Sequence, residues 1–292
     1  YYNYEFSRTP ITPGPFNNPS DKRFGYGSIF AQVDHFFNNG YNLIASARWD
    51  EHDSFESTGT YSIQMSKEIL SNSTLFSKIS TGYKAPSGQD FVYLDPSVDP
   101  DLISPEESFS WEIGTKHSFA DESGIISLSY FNSDIDGLVD SIGFPAFPAQ
   151  VDTKTQGIEL GLTYNISEHL SAYINYTWLD AFITDGLYFG GFAGSPGDRL
   201  TRRPEHTGSG GILYKNDTWK LGAEIHGASN RLDSPGVTLK DYSTIRAYGS
   251  WKWKPNVEVH ARVENIFDEL YQSTRGYTAA GTGIFAGLRI NF

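Results

Sequence analysis

The last residues of the chain alternate between apolar side chains and side chains that are mostly small or polar. The two sets of alternate positions are Ile284, Ala286, Leu288, Ile290 and Phe292 on one side, and Phe285, Gly287, Arg289 and Asn291 on the other. Successive side chains of a β-strand point to opposite faces. Alternation over about ten residues is typical of a strand that crosses a bilayer within a closed barrel. The segment therefore predicts a membrane-spanning strand.

The same alternation recurs along the whole sequence and predicts about fourteen strands. The predicted strands cover residues 1–8, 24–37, 41–49, 58–67, 75–84, 108–119, 126–132, 155–166, 170–179, 206–214, 219–227, 242–253, 257–266 and 280–292. Short connections alternate with long ones, which include residues 85–106, 133–152, 180–204, 229–240 and 268–279. Bacterial outer-membrane barrels have short turns at one end and long loops at the other. The predicted fold class is all-β, a transmembrane antiparallel β-barrel.

Composition is consistent with this fold and excludes several function classes. The chain has no cysteine, which excludes disulfides and thiolate metal sites. Its 18 Tyr, 20 Phe and 6 Trp suit the aromatic girdles of a membrane barrel. The net charge of -13 argues against a nucleic-acid partner, because phosphate contacts need clustered Lys and Arg. A barrel protein needs export, and the sequence starts at Tyr1 without a signal peptide, so we expect a mature or truncated chain.

Several short motifs then occur in a characteristic order. They occupy residues 82–87, 102–114, 155–160, 264–271 and 276–277 and are followed by a terminal aromatic residue, Phe292. In this order the set resembles the C-terminal barrel portion of TonB-dependent outer-membrane receptors. The resemblance runs from about residue 24 to the end of the chain. Residues 200–206, together with Gly276 and Tyr277, look most like cobalamin receptors, although ferric-siderophore receptors share much of the pattern.

The resemblance implies a plugged barrel of about 22 strands in the outer membrane of a Gram-negative bacterium. It also implies import of a scarce nutrient, cobalamin-like or a ferric siderophore, driven by the TonB complex acting through the plug. We therefore expect residues 1–292 to be the C-terminal part of the barrel, with the plug domain and early strands absent from this chain. Further expected partners are membrane lipid, the remaining receptor strands and a surface lipoprotein.

Ligand capture is expected in the long loops, because binding residues concentrate on loops carried by a rigid scaffold. Aromatic rings there would stack on a planar ligand such as a corrin or catecholate, and arginines would meet its anionic groups. The candidate residues are Tyr93, Tyr188, Phe189, Phe192, Arg202, Arg203 and Tyr277.

Two acidic clusters offer the oxygen ligands that calcium prefers. They are centred on Asp50 and Asp53 and on Asp95 and Asp99, and neither has the spacing of a regular calcium loop. We expect a structural Ca²⁺ at one of them and no other cofactor.

Three alternative functions stay open. A self-sufficient barrel of about fourteen strands would be a passive diffusion porin. Long loops would also suit a surface adhesin or a phage and bacteriocin receptor. An outer-membrane hydrolase is the most distant alternative, because it would need a nucleophile and a base brought together across neighbouring strands. No phosphate loop, dinucleotide fingerprint or zinc-protease motif is present. The seven histidines are scattered, and the prediction is that the protein is not an enzyme.

Overall fold

The computed structural model describes residues 2–8, 20–53, 56–86, 104–142, 147–186 and 195–291, with the backbone alone for 2–8, 20–24, 139–142 and 147–149. The described residues form eighteen strands. They are β1 (Tyr2–Arg8), β2 (Ser20–Phe36), β3 (Tyr41–His52), β4 (Thr58–Leu70), β5 (Ser73–Lys84), β6 (Glu106–Phe119), β7 (Gly124–Ile142), β8 (Phe147–Asn165), β9 (Leu170–Asp185), β10 (His206–Lys215), β11 (Trp219–Ser229), β12 (Arg231–Ser234), β13 (Val237–Leu239), β14 (Tyr242–Lys254), β15 (Val257–Glu264), β16 (Gln272–Thr274), β17 (Tyr277–Thr278) and β18 (Gly283–Ile290).

Fourteen strands form one sheet in the order β1 to β11, then β14, β15 and β18. Every neighbouring pair is antiparallel. Each of the fourteen strands predicted from alternation corresponds to one of these. The remaining four strands form two small hairpins, β12 with β13 and β16 with β17, in connections of the main sheet. None of the described residues forms a helix that is long and apolar enough to cross a membrane.

Cross-strand register keeps the two faces of the sheet chemically distinct. Leu128 pairs with Leu160, which pairs with Tyr176 on the next strand. The adjacent row on the opposite face runs from Ser129 through Glu159 to Thr177 and Thr207. We call the first the apolar face and the second the polar face. Large side chains stay uncovered on the apolar face, and Leu128 is 47% exposed. A face of this kind must meet another apolar phase.

Aromatic side chains border the apolar face at both ends. Near the short connections, the rings of Trp219 and Trp251 stack at 5.5 Å. Near the long connections, Tyr176 stacks on His206 and its hydroxyl lies 2.8 Å from the imidazole Nδ1. Tyr214 lies eight positions after His206 in β10, a distance of about 27 Å along the strand and about 20 Å across a membrane at a tilt of about 40°. This height is close to the apolar band of a membrane barrel.

Four long loops predicted from sequence are partly strand, so those predictions were wrong. Segments 229–240 and 268–279 contain the two small hairpins, and two others contain extensions of the main sheet. The segment 133–152 belongs largely to β7 and β8, which pair as far as Ile142 with Phe147. Gly137, with φ of 69°, lies at a register shift in this hairpin. Strand β9 likewise continues to Asp185, into the predicted loop 180–204. Val151, Ala181 and Ile183 of these extensions form a small buried cluster with Leu200 of the connection that follows β9.

Asn265 holds the turn that leaves β15. It is 7% exposed, and its Nδ2 donates to the carbonyl oxygens of Glu269 at 3.0 Å and Ala280 at 3.2 Å. Its Oδ1 accepts from the backbone N–H of Glu269 at 2.9 Å. The residue has a φ of 48°, which asparagine tolerates better than most residues.

Asn265→Ala is expected to lower the free energy of unfolding by about 2–3 kcal/mol, because buried backbone groups lose their partners and alanine disfavours this φ. Urea unfolding followed by tryptophan fluorescence measures the loss. Asn265→Gly is the matched control, since glycine adopts this φ freely and so isolates the hydrogen bonds. An alanine variant as stable as the original protein would show that the side chain does not hold the turn.

Candidate functional site

Three connections at the long-loop end of the sheet contact one another. We call the segments 199–205, 230–241 and 265–282 the loop cap. At its centre lies Arg231, which is 6% exposed. Its Nη1 donates to the carbonyl oxygen of Lys240 at 3.0 Å, and its Nη2 donates to those of Gln272 at 2.6 Å and Ser273 at 3.0 Å. One buried guanidinium thus ties the β12–β13 hairpin to the β16–β17 hairpin.

An aromatic pair connects the loop cap to the main sheet. The Arg231 guanidinium lies 4.7 Å from the ring centroid of Tyr242, and Tyr242 stacks on Tyr271 at 3.9 Å. The Tyr242 hydroxyl lies 3.1 Å from Nε2 of His226, a polar-face residue of β11. Cation–π contact in a desolvated place contributes about 2 kcal/mol. The position of the cap is therefore linked to the sheet that carries it.

Asp233 joins the third segment to the other two. It is 6% exposed and accepts a hydrogen bond from the backbone N–H of Arg275 at 3.2 Å. The side-chain Nε of Arg202 lies 3.8 Å from the same carboxylate oxygen, and the backbone N–H of Arg202 donates to the carbonyl oxygen of Leu232 at 2.6 Å. All three connections of the loop cap therefore meet around Asp233 and Arg231.

The structure places three of the predicted ligand residues in the loop cap. The Arg202 side chain is 67% exposed although it lies close to Asp233. Arg203 donates from Nη1 to the carbonyl oxygen of Thr201 at 3.2 Å. Tyr277 is 73% exposed in β17. The other four predicted ligand residues lie outside the described residues: Tyr93, Tyr188, Phe189 and Phe192.

The Asp50 carboxylate of the predicted calcium site already has a cationic partner. Arg48 donates to it from Nε at 2.7 Å and from Nη2 at 2.7 Å. Asp53 follows at the end of β3, and Asp95 and Asp99 lie outside the described residues. Among the residues that the structure describes, no three His, Cys, Asp or Glu side chains are grouped to hold a metal ion. Calcium at either cluster stays a prediction.

Charged side chains form a paired network on the polar face near the end of the chain. Glu224 accepts from Arg246 Nε at 2.8 Å and from the Tyr248 hydroxyl at 2.9 Å. Arg262 lies 3.2 Å from Glu264 and 4.4 Å from the ring centroid of Phe285. These side chains line a depression of about 670 Å³. We call it the wall patch. Its mutually neutralising charges offer polar contacts to whatever lies against this face.

Sequence reasoning missed Arg231 and Asp233, because segment 229–240 was predicted to be a plain loop. It also missed the role of Tyr242, which begins the predicted strand 242–253. One signal was present: Pro235 and Gly236 form a turn pair between two short alternating runs, which is typical of a hairpin. Gly236 has a φ of 72° in that turn. The contacts of Arg231 with residues 272 and 273 have no counterpart in local sequence pattern.

Comparison with known proteins agrees with this architecture. The family model described as TonB dependent receptor-like, beta-barrel, matches residues 1–266. The chain is 28% identical over 263 residues to the vitamin B12 transporter BtuB of Vibrio vulnificus, covering 86% of this chain and 39% of that protein. It is 26% identical over 266 residues to BtuB of Photobacterium profundum, covering 86% and 41%. The chain thus spans about two fifths of the length of these curated relatives.

A solved structure shows the same fold. The ferric-catecholate import receptor Fiu from E. coli K12 superimposes with a TM-score of 0.77 at 16% identity. The superposition covers 97% of this chain and 47% of that one. At this identity the likeness concerns the fold alone.

Proposed function

This chain belongs to the TonB-dependent receptor-like β-barrel family, and from that premise we propose that it forms a large part of the barrel of an outer-membrane nutrient importer. Proteins of this family are receptors and transporters of the Gram-negative outer membrane and are not enzymes. The observation that carries the proposal is the family match over residues 1–266, which includes strands β1 to β15.

The two faces of the sheet suit the two phases that such a barrel separates. The apolar face meets membrane lipid between its aromatic borders, as in other membrane barrels. The polar face, with Glu159, the wall patch and their neighbours, lines the lumen. The long connections, and with them the loop cap, then lie on the extracellular side.

The ligand that we propose is cobalamin-like, with a ferric siderophore as the second candidate. Support for the first comes from the vitamin B12 transporters that resemble 86% of the chain. Exposed Arg202 and Arg203 supply cations for a phosphate or acidic group, and Tyr277 supplies a ring for a planar ligand. Tyr93, Tyr188, Phe189 and Phe192 are proposed to add to this aromatic surface.

Residues 1–292 are proposed to be the C-terminal part of a larger plugged barrel. The match to 39% of BtuB supports this, as does the strand order, in which β1 and β18 are the two ends of the described sheet. Unpaired strand edges are unfavourable in a membrane, so further strands would close the barrel. A plug in the lumen would lie against the polar face, and the TonB complex would act on that plug.

The alternatives are less well supported. A passive porin of about fourteen strands would not be expected to match a receptor family over most of its length. An adhesin or phage receptor remains compatible with exposed loops, but no described contact favours it over nutrient capture.

Uptake measurements test the proposal. A strain that lacks its own cobalamin receptor, and that expresses the complete receptor containing this chain, is expected to accumulate labelled cyanocobalamin only when the TonB complex is active. The triple variant Arg202→Ala, Arg203→Ala, Tyr277→Ala should bind the ligand about 10–100-fold more weakly, because two cations and one stacking ring are lost.

Lys215→Ala is the matched control, because it removes a cation at the opposite end of β10 and should leave binding unchanged. Ferric enterobactin is assayed in parallel to separate the two ligand classes. A folded receptor that binds neither ligand would overturn the proposed cargo, and uptake without TonB would overturn the importer class.

A further inference from the structure

A groove of about 740 Å³ interrupts the apolar face at strands β9, β10 and β11. Its sides include Ile174 and Tyr176 from β9 and Ile225 from β11. Its floor is the backbone of β10 at Gly208 and Gly210. Cross-strand register explains the shape, because Gly208 lies opposite Tyr176 and Gly210 lies between Ile174 and Ile225. The groove exists where the apolar rows lack a side chain.

Neither backbone conformation nor crowding requires glycine at these two positions. Both residues lie in regular strand, and neither has a positive φ. A Cβ at Gly208 would find its nearest neighbour, the carbonyl oxygen of Asn175, at 3.8 Å. At Gly210 the closest atom is the carbonyl oxygen of Tyr173 at 3.4 Å. By contrast, a Cβ at Gly227 would lie only 2.7 Å from the carbonyl oxygen of Tyr242. The glycines of β10 therefore keep space open rather than relieve strain.

The upper end of the groove is polar. Here the stacked pair of Tyr176 and His206 forms part of the aromatic border, with the hydroxyl 2.8 Å from Nδ1. Ser243 and Asp241 also lie at the groove. Rings with a polar atom at one end are typical of the level where lipid headgroups meet hydrocarbon. The groove thus begins at headgroup level and continues among isoleucine side chains toward the membrane centre.

We propose that this groove binds one acyl chain of an outer-leaflet membrane lipid, held with its headgroup at Tyr176 and His206. The groove is continuous with the lipid-facing surface, so hydrocarbon is the phase in contact with it. An acyl chain between Ile174 and Ile225 makes van der Waals contacts with these side chains that an unfilled groove would lack. The inference rests on the membrane position in the proposed function but does not depend on the cargo.

Native mass spectrometry of the complete receptor, extracted in mild detergent, tests this. We expect one lipid A molecule, the lipid of the outer leaflet, to stay bound through detergent exchange, and retention of phospholipid in its place would contradict the proposed occupant. Gly210→Leu places a side chain in the groove and should reduce the lipid-bound fraction at least about tenfold, since an occupied groove excludes the chain. Ala45→Leu adds the same side chain to the apolar face of β3 and should retain the lipid.

Heat-modifiable migration on gels establishes that each variant is folded. If Gly210→Leu does not assemble, the double variant Gly208→Ala, Gly210→Ala replaces it, because both methyl groups fit the space described above and should reduce the bound lipid partially. Equal lipid retention in the filled and control variants would overturn the inference, as would a wild-type receptor that carries no lipid after exchange. Cobalamin uptake is measured on the same samples, so failure of the cargo proposal is distinguishable from failure of the groove.

Discussion

Replacing Arg231 with leucine is expected to release the loop cap and weaken ligand binding by up to about 100-fold. Three backbone carbonyls lose a buried cationic donor, at about 1 kcal/mol or more each, and Tyr242 loses its cation–π partner. The three hydrogen bonds alone amount to about 3 kcal/mol, which corresponds to about a 100-fold change if binding must reorder the cap. Hydrogen exchange across residues 230–241 and 265–282 should accelerate in the variant, and ligand titration on the complete receptor measures the affinity.

Two further variants make this test specific to the Arg231 guanidinium. Lys240→Ala removes a cation from the same hairpin, but its ion pair with Glu269 is on the surface, so less than about 1 kcal/mol is at stake. Arg231→Lys keeps the charge but cannot donate to three carbonyls with the fixed geometry of a guanidinium, so it should behave like the leucine variant. If the Arg231→Leu and Lys240→Ala variants had the same hydrogen-exchange rates and the same ligand affinity, Arg231 would not be the residue that holds the loop cap together.

Placing arginine on the apolar face is expected to prevent most of the chain from assembling in the membrane. In Leu162→Arg, a guanidinium would lie beside Ile126 and Ile174, in the middle of the lipid-facing band. Such a charge costs about 2–4 kcal/mol near the bilayer centre. The folded fraction in outer-membrane preparations, read from heat-modifiable migration, should fall several-fold.

Glu159→Arg is the control that separates the effect of the face on which arginine lies from the effect of its charge. Glu159 lies three residues before Leu162 on the same strand, but on the polar face, opposite Ser129 and Thr177. An arginine there stays in contact with water and should leave assembly nearly unchanged. Equal damage from both substitutions would mean that the two faces have been assigned to the wrong phases.

Alternation alone was enough to predict the membrane-spanning part of the fold. Where one face of a sheet is apolar, a one-residue shift in strand pairing would move every side chain to the wrong face. The alternation of the sequence therefore determines the register of each strand pair. This is why all fourteen predicted strands correspond to strands of the sheet. The family resemblance, based on the ordered motifs, was likewise confirmed by the match over residues 1–266.

The pattern carries no such information beyond the membrane. In β7 and β8 the extension past Ile135 contains Asp136, Gly137 and Asp140, which resemble turn residues. A strand outside the bilayer needs no apolar alternation, and here pairing and the packing of Val151 stabilise it instead. Polar composition therefore suggested a loop where the structure has a hairpin.

The candidate site was predictable only in part for a related reason. Exposed arginines and aromatics in loops are natural ligand candidates, which led to Arg202, Arg203 and Tyr277. Arg231 was overlooked because its role depends on carbonyl groups 41 and 42 residues away. Contacts between loops come from how the sheet places its connections, and no local window of sequence contains them.

The strand order also determines how such a sheet can grow. Every strand of the large sheet hydrogen-bonds to the next strand of that sheet along the chain, and no registered pair in the described part is farther apart than the 44 residues between Ser73 and His117. Loop-closure entropy is therefore modest at each step, which favours fast sequential pairing. Hairpins can be added one after another as the polypeptide arrives at the membrane. Only the final seam of a closed cylinder requires distant segments to meet, so that seam is the expected slow step of assembly.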